Sequence, residues 1–96
     1  MQQLMRNGSF TVDGIRPNPT SGEVVLSYSF EGSTPVSGEI YIEDALGREV
    51  VCETITLQPG ATRSSIVSLK GLPSGIYLVR VSDGVEARTL KVAKEQ

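Results

Sequence analysis

Apolar and polar residues alternate along several short stretches of the chain, a pattern that is typical of half-buried β-strands. The apolar positions of these stretches are Val24, Leu26, Tyr28 and Phe30, then Ile40 and Ile42, then Tyr77, Val79 and Val81, and finally Leu90 and Val92. No part of the sequence keeps a helical period over the length of a helix. The pattern therefore predicts an all-β protein.

Glycine and proline separate these stretches into segments of about 6–9 residues, a length that suits strands better than helices. Seven strands are predicted, at residues 9–15, 23–30, 36–43, 48–57, 62–69, 75–82 and 85–92. So many short strands in 96 residues indicate a seven-stranded antiparallel two-sheet β-sandwich of immunoglobulin-like type. We expect the sandwich to occupy residues 10–96, after a flexible lead-in or linker at residues 1–9.

Two turns have a recognisable chemistry. Asp44-Ala45-Leu46-Gly47 joins the third and fourth strands and ends in glycine, which is consistent with a type I-like turn. Asp83-Gly84 joins the last two strands. Because a type I′ turn needs a positive φ at both central positions, this pair predicts a tight type I′ hairpin.

The composition is that of an ordinary globular domain, with 39% hydrophobic residues and a formal net charge of −2. A sequence pI near 5.0 leaves no basic face, so we expect no nucleic-acid partner. Residues 1–10 lack the basic and apolar regions of a signal peptide. If the domain is exported, we expect another part of a longer precursor to carry the first targeting signal.

Histidine is absent from the sequence, and Cys52 is the single cysteine. Ser–His and Cys–His dyads are therefore excluded, and zinc would lack its usual ligands. We expect a non-catalytic domain without metal or cofactor. For Cys52, a reactive thiol and an intermolecular disulfide are open alternatives. Burial as a small apolar side chain is the favoured interpretation, because free cysteine is among the most buried residue types.

Turn carboxylates and aromatic rings are the other candidate functional groups. Glu43, Asp44 and Asp83 could supply oxygens to calcium, although solvation in their turns is the favoured interpretation. The rings predicted to lie in the core are those of Tyr28, Phe30 and Tyr77. Tyr41 is out of phase with its apolar neighbours and is the best candidate for an exposed ring. Exposed aromatics or a calcium site would favour a carbohydrate-binding or adhesive module.

Three segments carry a resemblance to a known family. The first is Pro17-Asn18-Pro19-Thr20-Ser21-Gly22, the second covers residues 42–50 and includes Gly47, and the third covers residues 72–81 and includes Gly75 and Tyr77. A last strand with Lys91 and Lys94 follows. Together, residues 15–96 resemble the type A C-terminal sorting domain of the type IX (Por) secretion system of Bacteroidetes.

The resemblance implies a non-catalytic C-terminal secretion signal for a cargo domain that lies N-terminal in the same precursor. Such a precursor passes through the periplasm, and the outer-membrane type IX translocon then delivers it to the cell surface or the extracellular space. A cell-surface sorting peptidase removes the signal in many family members, and some members stay uncleaved. If this member is cleaved, we expect the cut at Asn7 and Gly8 or upstream of them.

The family motif comprises Pro17, Asn18, Pro19, Gly22 and Gly47. Within the last motif and the tail, Gly75, Tyr77, Lys91 and Lys94 are the residues we expect the translocon to recognise. Alternatively, the motifs specify only the fold, the lysines only protect a strand edge, or the domain is a structural spacer. A homodimer through the last strand is a further candidate assembly.

Overall fold

A computed structural model describes residues 9–95, and of Ser9 only the backbone. Within this range the strands are β1 (Ser9–Arg16), β2 (Glu23–Glu31), β3 (Val36–Glu43), β4 (Glu49–Leu57), β5 (Gly60–Ser68), β6 (Gly75–Ser82) and β7 (Ala87–Lys94). Each strand overlaps its predicted counterpart. The lead-in predicted at residues 1–9 and the cleavage region at Asn7 and Gly8 lie outside the described residues, apart from Ser9, where β1 begins.

The strands form two antiparallel sheets, which confirms the predicted immunoglobulin-like sandwich. The first sheet has the order β1-β2-β5, and the second has the order β4-β3-β6-β7. Since β1 and β7 are edge strands in contact with each other, they lie on the same side of the sandwich. No helix in the described part of the chain is long and apolar enough to cross a membrane.

The core lies between the sheets and consists of the inward-facing residues that the alternation predicts. Its buried side chains are Phe10, Val24, Leu26, Tyr28, Phe30, Ile40, Ile42, Leu57, Val67, Leu69, Tyr77, Val79, Val81 and Val92. Leu90 is half-buried against them. Each buried aliphatic or aromatic side chain of this kind contributes about 1.5–3 kcal/mol to folding, so the core fixes which face of each strand is turned outward.

The turn between β3 and β4 has the predicted chemistry. Gly47 N donates to the Asp44 carbonyl oxygen at 2.9 Å, which closes the four-residue turn. Gly47 has a φ of 84°, a conformation that glycine adopts without steric cost. The positive φ at the last position of the turn therefore explains why this residue is glycine.

The prediction of a type I′ turn centred on Asp83 and Gly84 is wrong. Asp83 N donates to the Glu86 carbonyl oxygen at 3.1 Å, so the central residues are Gly84 and Val85, and β7 begins at Ala87. Gly84 has a φ of 91°, whereas the φ of Asp83 is not positive. A type II′ turn places glycine at its first central position, which matches this arrangement. The Asp83 carboxylate fixes the shifted turn by accepting from Val85 N at 2.9 Å.

Candidate recognition site

The three sequence motifs lie together at one end of the sandwich, which we call the motif end. Thr20, in the first motif, forms a parallel bridge with Lys94 of β7. The turn of the second motif follows Glu43, which pairs with Leu78 of β6. The third motif contains Gly75, which pairs with Lys94. Strand register therefore brings segments that are distant in sequence to one end of the domain.

The described chain begins at the opposite end. Ser9 pairs with Glu31, the last residue of β2, far from the start of β2 at the motif end. The turn between β6 and β7 also lies at this opposite end, because Ser82 pairs with Glu39 near the start of β3. The long direction of the strands thus separates the first described residue from the motifs.

Residues 17–20, which we call the strap, run along the edge of β7 that faces away from β6. Both proline peptide bonds of the strap are cis. Asn18 Nδ2 donates to the Lys91 carbonyl oxygen at 2.9 Å, and Asn18 Oδ1 accepts from Ala93 N at 3.0 Å. The side-chain amide of Asn18 therefore bonds to β7 through one donor and one acceptor, as a peptide group does.

Thr20 continues the strap with its backbone. Thr20 N donates to the Ala93 carbonyl oxygen at 2.9 Å, and Glu95 N donates to the Thr20 carbonyl oxygen at 2.7 Å. The Thr20 hydroxyl is buried, donates to the Glu23 carbonyl oxygen at 2.8 Å and accepts from Gly22 N at 3.1 Å. The first motif is thereby fixed both to β2 and to the last strand.

The carboxylate of Asp44 organises the second motif. Its Oδ1 accepts from Leu46 N at 2.9 Å and from Arg48 N at 3.0 Å, and its Oδ2 lies 2.9 Å from Arg48 Nε. The hydrogen bond from Arg48 N, together with the bonds from Leu46 N and the Arg48 guanidinium, lowers the pKa of Asp44 below its usual value. The ionised form of Asp44 is therefore the one that stabilises this turn.

Tyr77 organises the third motif from inside the core. Its ring is 4% exposed, and its hydroxyl donates to the Pro73 carbonyl oxygen at 2.6 Å. Gly75 lies between these residues with a φ of 157°, just inside the range that residues with a side chain rarely adopt. A Cβ at Gly75 would meet no atom within 4 Å, so its backbone conformation is the physical reason for glycine there.

A shallow depression of about 230 Å³ separates the second and third motifs. Leu46, Pro73 and Ile76 are among the residues that line it. Leu46 is 78% exposed and Ile76 is 45% exposed, and both lie beside this depression. The motif end therefore presents apolar surface as well as charge.

The residues predicted to contact the translocon lie in the last hairpin. Register pairs Gly75 with Lys94. Lys91 is exposed, and Lys94 is half-buried. Because Tyr77 is almost fully buried, a partner could not reach its ring while the sandwich is intact. Tyr77 therefore shapes this surface and reaches it only where it helps to line the depression between the second and third motifs.

The prediction that Cys52 is buried is wrong. Cys52 is exposed, because it pairs with Tyr41 on the outer face of the second sheet, whereas Val51 and Ile55 face the core. Partial loss of water around the thiol and the charge of Glu49 raise the pKa of Cys52. Since the thiolate is the nucleophilic form, this environment makes Cys52 less reactive at neutral pH.

The aromatic residues follow the predicted phases. Those in the core are Tyr28, Phe30 and Tyr77. Tyr41 faces outward but is half-buried. Its hydroxyl bonds to the Glu39 carboxylate, which raises the pKa of Tyr41, and the Arg80 guanidinium lies 5.2 Å from the ring centroid. Among the described residues, which include all the aromatics of the sequence, Tyr41 is the one ring on an outer face.

The candidate calcium ligands are separated by the fold. Glu43 and Asp44 lie at the motif end, whereas Asp83 lies in the turn at the opposite end. Glu43 Oε2 lies 3.3 Å from Arg80 Nη2, and the oxygens of Asp44 accept bonds within their own turn. The two turns therefore do not form a joint ligand set.

The fold defines the class of the protein as an immunoglobulin-like β-sandwich built from two antiparallel sheets. A family model for the secretion system C-terminal sorting domain matches residues 14–95. The chain belongs to this family, which confirms the resemblance to the type IX sorting domain.

Two solved structures show the same fold at low sequence identity. The chain is similar to part of a GH3 β-glucosidase from Bifidobacterium adolescentis, with 14% identity, a TM-score of 0.54, and coverage of 91% of this chain and 17% of that enzyme. A β-glucosidase from Listeria innocua in complex with glucose gives 14% identity and a TM-score of 0.51, with 93% of this chain and 16% of that enzyme covered. This likeness concerns the fold alone. No protein of curated function matches the sequence significantly.

The sequence interpretation missed what Asn18 and Thr20 do. Asn18 was placed in the family motif and Thr20 only in the segment around it, whereas their contacts with β7 join residues up to 75 positions apart. The sequence contained one signal. Asn18 lies between two prolines outside the predicted strands, so its side-chain amide is available to bond to a strand that is distant in sequence.

Proposed function

We propose that the motif end is the surface by which the outer-membrane type IX machinery recognises this sorting domain. The observation that carries the proposal is the gathering of all three family motifs and the last strand at one end of the sandwich. The domain acts here as a docking surface and catalyses no reaction itself.

Charge and apolar surface lie side by side at this end. Lys91 is exposed on the outer face of the last hairpin, and Lys94, three residues further on in the inward phase, is half-buried at the end of β7. Leu46 and Ile76 add exposed apolar surface next to Gly75. Recognition sites between proteins combine an apolar centre with a charged rim, and this arrangement supports docking of a protein partner.

The geometry also suits a cargo that precedes the domain. Since β1 starts at the opposite end, a cargo joined before Ser9 leaves the motif end accessible. In our proposal the precursor crosses the periplasm, docks through the motif end and reaches the cell surface or the medium. A sorting peptidase then cuts before β1, near Asn7 and Gly8, because a cut inside the sandwich would have to break strand pairing.

The test is a reporter protein with a signal peptide and this domain at its C-terminus, expressed in a type IX-competent cell. The double variant Lys91→Ala with Lys94→Ala removes the charges at the cost of about 0.5 kcal/mol or less of folding free energy, as is usual for surface changes. We expect an unchanged melting curve and a reporter that accumulates in the periplasm.

Lys70→Ala is the control for charge at the same end, because Lys70 is exposed beside Gly22 and its ammonium lies 3.5 Å from a Glu23 carboxylate rather than on the last hairpin. We expect this variant to reach the surface. Normal delivery of the double variant would show that Lys91 and Lys94 only protect the edge. Normal delivery of a reporter without the domain would favour the structural spacer instead.

A homodimer through the last strand would require the outer edge of β7 to be free. The strap occupies the outer edge of β7 at Lys91, Ala93 and Glu95, so a second copy could pair there only after the strap has left. The carbohydrate-binding alternative has Tyr41 as its one outward ring, and Arg80 lies over that ring. Neither observation favours a second function.

A further inference from the structure

The outer edge of β7 is closed by a segment that is not a strand. Backbone groups at Lys91, Ala93 and Glu95 point away from β6, and each would be a free donor or acceptor on an ordinary edge strand. Asn18 and Thr20 satisfy them instead, with donor–acceptor distances between 2.7 and 3.0 Å. The hydrogen bonding of the outer edge at the end of β7 therefore depends on the strap.

The side chain of Asn18 supplies the hydrogen bonds to Lys91 and Ala93 N that no backbone group of the strap makes. A primary amide carries a donor and an acceptor in one plane, as a peptide group does. In Asn18 both atoms are used, one toward Lys91 O and the other toward Ala93 N. Both bonds are exposed to solvent, so opening them exposes little buried area. We therefore expect their loss to affect mainly the end of β7.

We propose that Asn18 is a positioning residue for the sorting signal: its amide takes the place of a strand peptide and holds the end of β7 in register. The opening motif thereby sets how the tail, with Lys91 and Lys94, is presented. This inference rests on the proposed function for its consequence in export, whereas its structural half stands on its own.

Terminal strands without such anchoring open readily, because few contacts hold their last residues. β6 pairs with β7 along its whole length, but it bonds to the opposite edge of β7 from the strap. Without Asn18, Ala93 N would lose its acceptor, and the end of β7 would open more often while the core stayed closed. The tail lysines would then lose their fixed position relative to Gly75.

The structural half is tested by amide hydrogen exchange on the whole chain. Asn18→Leu keeps the approximate size of the side chain and removes both polar atoms, and Asn18→Ala removes the side chain altogether. In both variants we expect exchange at Ala93 N to become about tenfold faster, the amount that corresponds to one lost hydrogen bond. The amide of buried Val79 in β6, which exchanges through wider opening, should keep its rate.

Ser21→Ala is the control, since Ser21 is an exposed neighbour that follows the strap. It should leave exchange at Ala93 unchanged. In the unmodified protein, one of the two side-chain amide protons of Asn18 should itself exchange slowly, because Nδ2 donates one hydrogen bond to Lys91 O. Unchanged exchange at Ala93 in Asn18→Leu, or equal acceleration at Val79, would overturn the inference.

The export half uses the same reporter. Asn18→Leu should accumulate in the periplasm although its core remains folded. If Asn18→Leu reaches the surface normally while the Lys91 and Lys94 double variant does not, the inference is overturned and the proposed function stands. Normal delivery of both variants, like normal delivery of a reporter without the domain, would overturn the proposed function as well.

Discussion

Tyr77 connects the buried core with the exposed segment of the third motif. Its ring fills the core, and its hydroxyl donates to the Pro73 carbonyl oxygen at 2.6 Å, on the segment that leads into Gly75. The conformation of this exposed segment is therefore set by a buried group. A substitution at Tyr77 changes the surface only through the backbone that Tyr77 holds.

Tyr77→Phe should lower the free energy of unfolding by about 1 kcal/mol, because the Pro73 carbonyl loses its partner while the packing of the ring is kept. Urea unfolding measures this difference. Tyr41→Phe is the matched control, since Tyr41 bonds on an outer face, and it should cost about 0.5 kcal/mol or less. Lost surface delivery at unchanged stability would mean instead that a partner contacts the Tyr77 hydroxyl directly.

At the scale of elements, the turn between β3 and β4 couples stability to pH. The pKa of Asp44 is lower in the folded chain than its usual value, and the largest cause is the hydrogen bond from Arg48 N. A lowered carboxyl pKa contributes stability that is fully present above the unfolded-state pKa and is lost as the pH falls through the folded-state value. The turn should therefore weaken in acid.

Asp44→Asn should destabilise the domain more at pH 7 than below about pH 4, the region where an ordinary Asp carboxyl becomes protonated. Urea unfolding of both proteins at several pH values gives the difference. Arg48→Met separates the causes, because it removes the guanidinium and keeps the bond from Arg48 N to Asp44. We expect Arg48→Met to keep most of the pH dependence; a variant difference that does not change with pH would contradict the assignment.

The strands were predictable because alternation is a local property of the sequence. Val24, Leu26 and Phe30 show which face of β2 is inward without reference to any other strand. The same logic, applied to Val51 and Ile55, places Cys52 on the outer face, so its exposure was within reach of the sequence and general residue preference misled the prediction.

Other features depend on contacts that no local pattern contains. The turn after β6 was misplaced by one residue because both Asp83-Gly84 and Gly84-Val85 satisfy a tight turn, and the bond between Asp83 N and Glu86 O decides between them. The contact of Asn18 with Lys91 spans 73 positions. Family resemblance marked the opening motif, but only the strand register shows that it lies against the tail.

For the molecule as a whole, the open edges of both sheets raise the question of self-association. Three edge strands carry a charged residue in the inward phase, where the alternation calls for an apolar one: Glu53 opposite Ile40, Arg63 opposite Tyr28, and Arg88 opposite Val81. Arg88 lies 5.3 Å from the centroid of the Phe10 ring. Inward-pointing charges at sheet edges discourage pairing with another chain, since the added strand would have to bury them.

Glu53 gives the sharpest test, because β4 is an edge strand and Val51 and Ile55 flank Glu53 on its inner face. Glu53→Val would complete an apolar row beside a free edge, and we expect the mass measured by light scattering to rise with protein concentration. Thr54→Val adds a similar apolar group one residue away on the outer face and should leave the mass near that of the unmodified protein. If both variants behave alike, the charge of Glu53 does not protect the edge. A rise for Glu53→Val alone would show that one side chain at β4 keeps this edge of the second sheet from pairing with another chain.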